Sequence, residues 1–263
     1  FRDNPFLKEF GISIGETFEL VNARVLEPPR LKYNGGREAT PNRGAWDIRS
    51  QRFLNAKPLQ KWVVLCLDRN VSPQKVNDLQ SEIARSGGNL GMTIGKPDTY
   101  KVLTDQRTIQ RDVQTFLKEK KGYDLIIVIL SDKCNFYGMV KQEAELNIGC
   151  LTQCLLTKTI SRDPIPPSVV TNILLKVNAK LNGTNHVLSH RPQFLKGNIM
   201  VMGADVTHPP ASNRNVPSYA AVTASHDLDF FQYNTACQLQ APAMETIVGL
   251  EDIFKRHLVY YFK

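Results

Sequence analysis

The sequence lacks any apolar run near the roughly 20 residues that a bilayer-spanning helix requires, so nothing in it reads as a membrane segment. Cysteine is scarce and odd in number, with five residues scattered along the chain and no Cys-x-x-Cys pair. That argues against a disulfide framework and a zinc site, and fits a reducing, cytoplasmic setting. Cys150 and Cys154 are read as core residues, because even spacing on a strand puts both on one face. No Gly-x-Gly-x-x-Gly turn follows the first apolar strand. After Leu67 comes Asp68-Arg-Asn-Val-Ser-Pro73, so a Rossmann-type nucleotide enzyme would lack its phosphate loop. The opening residues, Phe1-Arg-Asp-Asn-Pro5, have no signal-peptide character. The closing ones, Leu258–Lys263, stop inside an apolar-periodic pattern with no cap. The chain is therefore expected to be a piece of a longer protein.

What is present is ordinary in kind and uneven in placement. Hydrophobic residues make up 42% and charged residues 22% of 263, the balance of a globular protein. The net charge is +8, and residues 45–204 hold 22 basic against 13 acidic groups. The basic excess belongs to the middle of the chain, which favours nucleic acid or another polyanion as partner.

Residues 1–44 are polar and rich in turns, with Glu27-Pro-Pro29, Asn34-Gly-Gly36 and Thr40–Gly44. They read as a linker packed on the next domain, with short alternating pieces such as Phe18–Leu26 as possible strands. Residues 45–185 read as an α/β domain. Strands are expected at Trp62–Leu67, 125–130 and near 150–156. Helices are expected from Ser72, as N-cap with Pro73 at the first position, to Gly87-Gly88; over Thr108–Lys118; from Tyr137; and over Pro167–Leu181. Such alternation predicts a Rossmann-like parallel sheet flanked by helices, with ligands at its carboxyl edge. From residue 186 to 263 the pattern changes to three successive strands, Asn198–Asp205, Tyr219–Ser225 and Tyr233–Gln240. A helix over Ala243–Phe262 follows, with Glu245 in its opening turn. Three strands and a helix, with an acid on the first strand, is how an RNase H-like nuclease domain begins.

Spacing brings the chemistry-bearing residues into view. Tyr137 and Lys141 share a helix face, and Lys176 and Lys180 repeat the four-residue interval. With Gln153 they supply one ring, one amide and three ammonium groups, an inventory that suits a nucleotide with a terminal phosphate. Taken singly, each lysine pair is as readily the solvated face of an amphipathic helix.

Gly203-Ala-Asp-Val-Thr-His-Pro-Pro210 resembles closely the signature that opens the PIWI domain of Argonaute proteins. Tyr137-x3-Lys141, Leu151-Thr-Gln-Cys154 and Asn172-x3-Lys176-x3-Lys180 are similar, in order and spacing, to the same family's MID domain. Arg24–Pro29 with Gly44-x-Trp46-Asp47 resembles the end of its second linker. The whole chain is thus covered: linker 2 in 1–44, MID in 45–185, and the first part of PIWI in 186–263. Ala144–Cys154 and Ala224-Ser-His-Asp227 lean toward insect siRNA-class members.

The resemblance implies small-RNA-guided gene silencing, with single-stranded guide RNA and target RNA as partners alongside RISC-loading and silencing proteins. It implies that Tyr137 stacks on the first guide base while Lys141, Gln153, Lys176 and Lys180 bind the 5′-phosphate. The loop Ser131, Asp132, Lys133, Cys134, Asn135, Phe136 falls where the family senses the first base. It departs from the Pro-Gly-Lys-Thr-Pro pattern of many animal members, and Asp132 would place a carboxylate near base and phosphate. Asp205 is implied as the first acid, and a Mg2+ ligand, of an Asp-Glu-Asp-His tetrad, and Glu245 falls at the spacing of its glutamate. His208 is read as part of the turn before Pro209-Pro210. The remaining Asp and His find no match, so this chain is not expected to cleave RNA alone. An Argonaute that silences through recruited partners without slicing fits the same residues.

Overall fold

The computed structural model describes residues 4–133, 135–210, 212–213 and 215–262. A short helix α1 (Pro5–Glu9) is capped by the Asn4 side chain. Residues 18–26, where alternation suggested strands, are exposed and lie in no strand. Alternation alone does not make a strand, because a ladder needs a neighbour to take its N–H and C=O groups. Only from residue 31 does the linker pack. Strands β1 (Leu31–Lys32) and β2 (Glu38–Ala39) form a small antiparallel sheet with the later strand at Val187–Leu188.

The central unit is a four-stranded parallel sheet built from β3 (Trp62–Cys66), β4 (Lys101–Val102), β5 (Leu125–Leu130) and β6 (Thr152–Leu156), ordered β4-β3-β5-β6. Every residue of β3 and β5 is buried. That is why they read as unbroken apolar runs: helices cover both faces of the strands. On one face Trp62, Val64, Ile127 and Ile129 pack against α2 (Pro73–Asn89) and α5 (Pro167–Lys180). On the other, Val63, Leu65, Ile126 and Val128 pack against α3 (Ile109–Glu119), α4 (Tyr137–Lys141) and the π-helical turn 142–148 that continues it. Cys150, which precedes β6 and so is not on the strand, and Cys154, which is on it, both meet this second cluster.

Helix α2 starts where the sequence places it, with Ser72 Oγ accepting from Lys75 N at 3.2 Å. It does not stop at Gly87-Gly88 but runs on to Asn89. Gly87 serves packing instead of termination, because a Cβ there would meet Ile94 Cγ1 at 2.6 Å. Helix α5 is moored by Asn178, which is fully buried. Its amide accepts from Lys57 N and donates to Asn55 O and to Asn185 Oδ1.

After β7 (Val187–Leu188) comes an antiparallel sheet of β8 (Met202–Thr207), β9 (Ser218–Ser225) and β10 (Tyr233–Gln240), ordered β10-β9-β8. The strand expected over Asn198–Asp205 is thus shifted toward its carboxyl end. One face, with Ala220, Val222 and Ala224, is buried, and His257 of α6 (Leu250–Tyr261) reaches Val222 O at 3.2 Å. The β9–β10 turn touches the parallel-sheet unit. Phe231 lies edge-on to His186, which also meets the rings of Tyr33 and Trp46.

Helix α6 begins at Leu250, not near Ala243. Residues 241–249 form a loop in which Ala243 and Gly249 hold positive φ. The Gln240 side chain donates to Thr246 O and accepts from Val248 N, satisfying a backbone that a helix would otherwise have paired. Glu245 therefore sits on a loop and has no helix dipole to face.

Candidate nucleic-acid interface

The basic residues meet at the outer strand of the parallel sheet. Because β6 is an edge strand, helices on opposite faces can both reach around it. Lys141, at the end of α4, donates to Thr152 Oγ1 at 3.1 Å and to Thr152 O at 3.4 Å. Lys180, at the end of α5, donates to the same carbonyl at 2.8 Å and to Gln153 Oε1 at 2.9 Å. Two ammonium groups, one amide and a shared carbonyl are thus brought within hydrogen-bonding range. Lys176 lies one turn before Lys180 on the same helix and is exposed. It lines a cavity of about 390 Å³ together with Gln153 and Asn172, without a hydrogen bond to either.

Burial above all, then the neighbouring ammonium of Lys141 and more weakly that of Lys176, pushes the Lys180 amine below the ordinary lysine value. A cation held among cations in a partly dehydrated place is held there at a cost that an arriving anion relieves. Tyr137 is 53% exposed, and no other ring is stacked on it among the described residues.

Two partners here were not singled out from sequence. Thr152 is the acceptor around which both lysines turn. Glu145 holds Lys141 at 2.7 Å, one helical turn along. The four-residue interval from Lys141 to Glu145 was visible; what was not visible is that this acid shares the ammonium with Thr152.

Asp132 has a partner within the fold. Its Oδ2 accepts from the backbone N of Lys158 at 3.0 Å, so the carboxylate ties the β5–α4 loop to the turn after β6. Ser131 Oγ accepts from Lys133 N at 3.3 Å. Lys133 and Asn135 are exposed and Phe136 is half-buried. Cys134 lies outside the described residues.

The acidic positions are separate from this cluster. Asp205, in the middle of β8 and paired in register with Ala221, is exposed. Its carboxylate has no partner among the described residues. Glu245 Oε1 lies 2.9 Å from His208 Nε2, and His208 Nδ1 lies 2.7 Å from Ser218 Oγ. Ser218 Oγ also accepts from Ala243 N at 3.0 Å. His208 thus does more than shape the turn before Pro209: it pins the loop that carries Glu245 to the end of β9. Among the described residues no group of three or more His, Cys, Asp or Glu side chains is arranged to hold a metal ion. Asp205 offers one unencumbered carboxylate, a hard oxygen donor of the kind magnesium takes.

Three family models match the chain in succession. Residues 1–33 match the Argonaute linker 2 domain, 40–120 the Mid domain of argonaute, and 125–263 the Piwi domain. The chain is 36% identical over 266 residues to Protein argonaute-2 of Drosophila melanogaster, covering 98% of itself and 22% of that protein. Among solved structures it is similar to the C-terminal lobe of a budding yeast Argonaute, with TM-score 0.77 at 19% identity over 90% of this chain and 53% of that one. It also resembles Kluyveromyces polysporus Argonaute with a guide RNA, with TM-score 0.75 at 18% identity over 90% of this chain and 32% of that one. Drosophila Piwi gives TM-score 0.75 at 20% identity, with the same coverage of both chains. These structural likenesses establish the fold: a Rossmann-like parallel sheet followed by an RNase H-like sheet. The chain belongs to the Argonaute family, matches its linker 2, MID and Piwi models, and covers about a fifth of the length of the curated relative.

Proposed function

We propose that this chain anchors the 5′ end of a small guide RNA for RNA-guided silencing in the cytoplasm. The observation that carries the reading is the meeting of Lys141 and Lys180 on Thr152, with Gln153 alongside. In this reading the 5′-phosphate displaces the lysines' contacts with neutral oxygens and takes charge-assisted bonds from Lys141, Lys180 and Gln153, with Lys176 adding charge from the next turn. Each such bond contributes about 1.5–3 kcal/mol. The exposed Tyr137 ring receives the first base, and stacking contributes about 1–3 kcal/mol whatever the base, which suits a protein that loads many guides.

For the whole protein we propose cleavage of the paired target. Asp205 would hold magnesium through its free carboxylate, and Glu245 would join it when its loop moves from His208. Bound metal supplies Lewis-acid stabilisation of the scissile phosphate and a metal-activated water.

The test is binding of a short single-stranded RNA with and without its 5′-phosphate, followed by fluorescence anisotropy at two salt concentrations. The phosphorylated RNA should bind at least about tenfold more tightly, and more so at low salt. Equal affinity for the two would sink the anchor.

A further inference from the structure

Lys180 is held where repulsion favours its departure. Its ammonium is partly buried beside that of Lys141, and both turn to one carbonyl. Like charges in a partly dehydrated place repel, and lysine has a flexible four-carbon stem with which to leave. Lys180 is also the last residue of α5, and helix ends fray. The backbone beneath it therefore needs a hold besides the contacts of its own side chain.

That hold is a pair of buried asparagines on the far side of the helix. Residues two apart on a helix point about 200° apart, so Asn178 faces away from Lys180 and toward the segment that enters β3. Asn178 is 0% exposed and Asn185 6%. Asn178 Oδ1 accepts from Lys57 N at 2.9 Å, and its Nδ2 donates to Asn55 O at 3.2 Å and to Asn185 Oδ1 at 2.9 Å. Asn185 Nδ2 in turn donates to Leu175 O of α5 at 2.9 Å. Main-chain bonds complete the clasp: Asn55 and Thr184 each donate to the other's carbonyl, and Gly183 N donates to Asn178 O at 2.8 Å. Gly183 leaves room for the amide, because a Cβ there would collide with the Asn178 side chain.

Both amide hydrogens of Asn178 and its carbonyl oxygen are engaged, so the side chain has one orientation. An apolar residue of similar size would be buried equally well without fixing α5 against residues 55–57. A satisfied buried polar network adds that specification.

We infer that Asn178 and Asn185 are positioning residues for the guide anchor, fixing the end of α5 so that Lys180 meets Thr152 and Gln153. The inference rests on the anchor reading and names what holds its cations in place. Both asparagines act through Lys180 and neither touches the phosphate.

The experiment measures the affinity of the chain for one short RNA bearing a 5′-phosphate or a 5′-hydroxyl, by fluorescence anisotropy, and takes their ratio as the phosphate preference. Asn178→Ala should lower that preference about tenfold or more, the scale of one charge-assisted bond to phosphate. Affinity for the 5′-hydroxyl RNA should stay within about twofold. Should Asn178→Ala fail to fold, Asn185→Ala decides, since it leaves the bonds to Asn55 and Lys57 in place. It should lower the preference about threefold, the scale of one neutral hydrogen bond. In a Lys180→Met background the same substitution should change the preference by less than about twofold, because residues that act through one contact do not add. A merely structural role would weaken both RNAs alike and cost as much in either background, and each of those results would overturn the inference. So would an unchanged preference in folded Asn185→Ala. A parent chain without phosphate preference would sink the anchor reading and this inference with it. A parent preference that survives both asparagine substitutions would sink this inference alone.

Discussion

At the edge strand of the parallel sheet, two ammonium groups share one backbone carbonyl, and burial has already lowered the affinity of one of them for its proton. On the first strand of the antiparallel sheet, Asp205 stands exposed and unpartnered, and Glu245 is engaged by a histidine on another loop. The basic region is assembled by packing: α4 and α5 are fixed by the core, and their ends deliver both lysines to Thr152. The acidic region is open on the face that carries Asp205. On the proposed function, the contrast fits what each region would do. A phosphate anchor gains from cations assembled in advance, since the ordering cost is met in folding. A metal-binding carboxylate must keep its lone pairs free, and a neighbouring cation would compete for them.

The largest expected effect reverses charge at the assembled site. Lys180→Glu should lower affinity for 5′-phosphorylated RNA by roughly 10- to 150-fold, from about 1.5–3 kcal/mol per lost bond. It should leave affinity for 5′-hydroxyl RNA much less changed, read as the ratio of two anisotropy titrations. If both RNAs lose equally, the lysine serves general attraction and the contrast between the regions dissolves.

A pH series sharpens the same point. With its folded value below 10.5, Lys180 is partly neutral in the window beneath that figure. A bound phosphate dianion stabilises the ammonium and restores the proton, so binding takes up protons there. Affinity should therefore fall as pH rises through the window, and Lys180→Arg should flatten the fall because arginine stays charged. A flat profile in the parent chain would contradict the burial seen here.

Glu145→Gln should act in the opposite sense. Released from its carboxylate, Lys141 is free for phosphate, and affinity should rise by about twofold, the scale of a helical i,i+4 pair. The smallest effect belongs to the other region. Asp205→Asn should leave RNA 5′-end affinity within about twofold, as for a surface change away from the ligand. A larger loss would mean that the two regions act as one site.

Much of this was legible in the residues. The fully apolar runs at 62–67 and 125–130 announced strands covered on both sides, and Ser72-Pro73 announced a helix start. Lys141, Gln153 and Lys180 were grouped from spacing, and the structure brings them together beside Thr152. The errors were places where local signals met tertiary partners. Gly87-Gly88 looked like a stop, but close approach by Ile94 explains Gly87. Phe18–Leu26 alternated like a strand but lies in none. Glu145 and Thr152 lay inside motif stretches, but nothing local showed that they share Lys141, nor that Asp132 accepts from Lys158 N.

By itself the sequence determined which segments are buried, where the basic charge collects and which residues share a helix face. Those are properties of periodicity and composition, and each is local. Only the tertiary structure decided that lysines from opposite faces meet at one carbonyl, because that depends on β6 being the edge strand. It likewise decided that His208 holds Glu245, and that Asn178 joins the end of α5 to Asn55 and Lys57. Each of these joins segments far apart in the chain, and no local interaction specifies such a meeting.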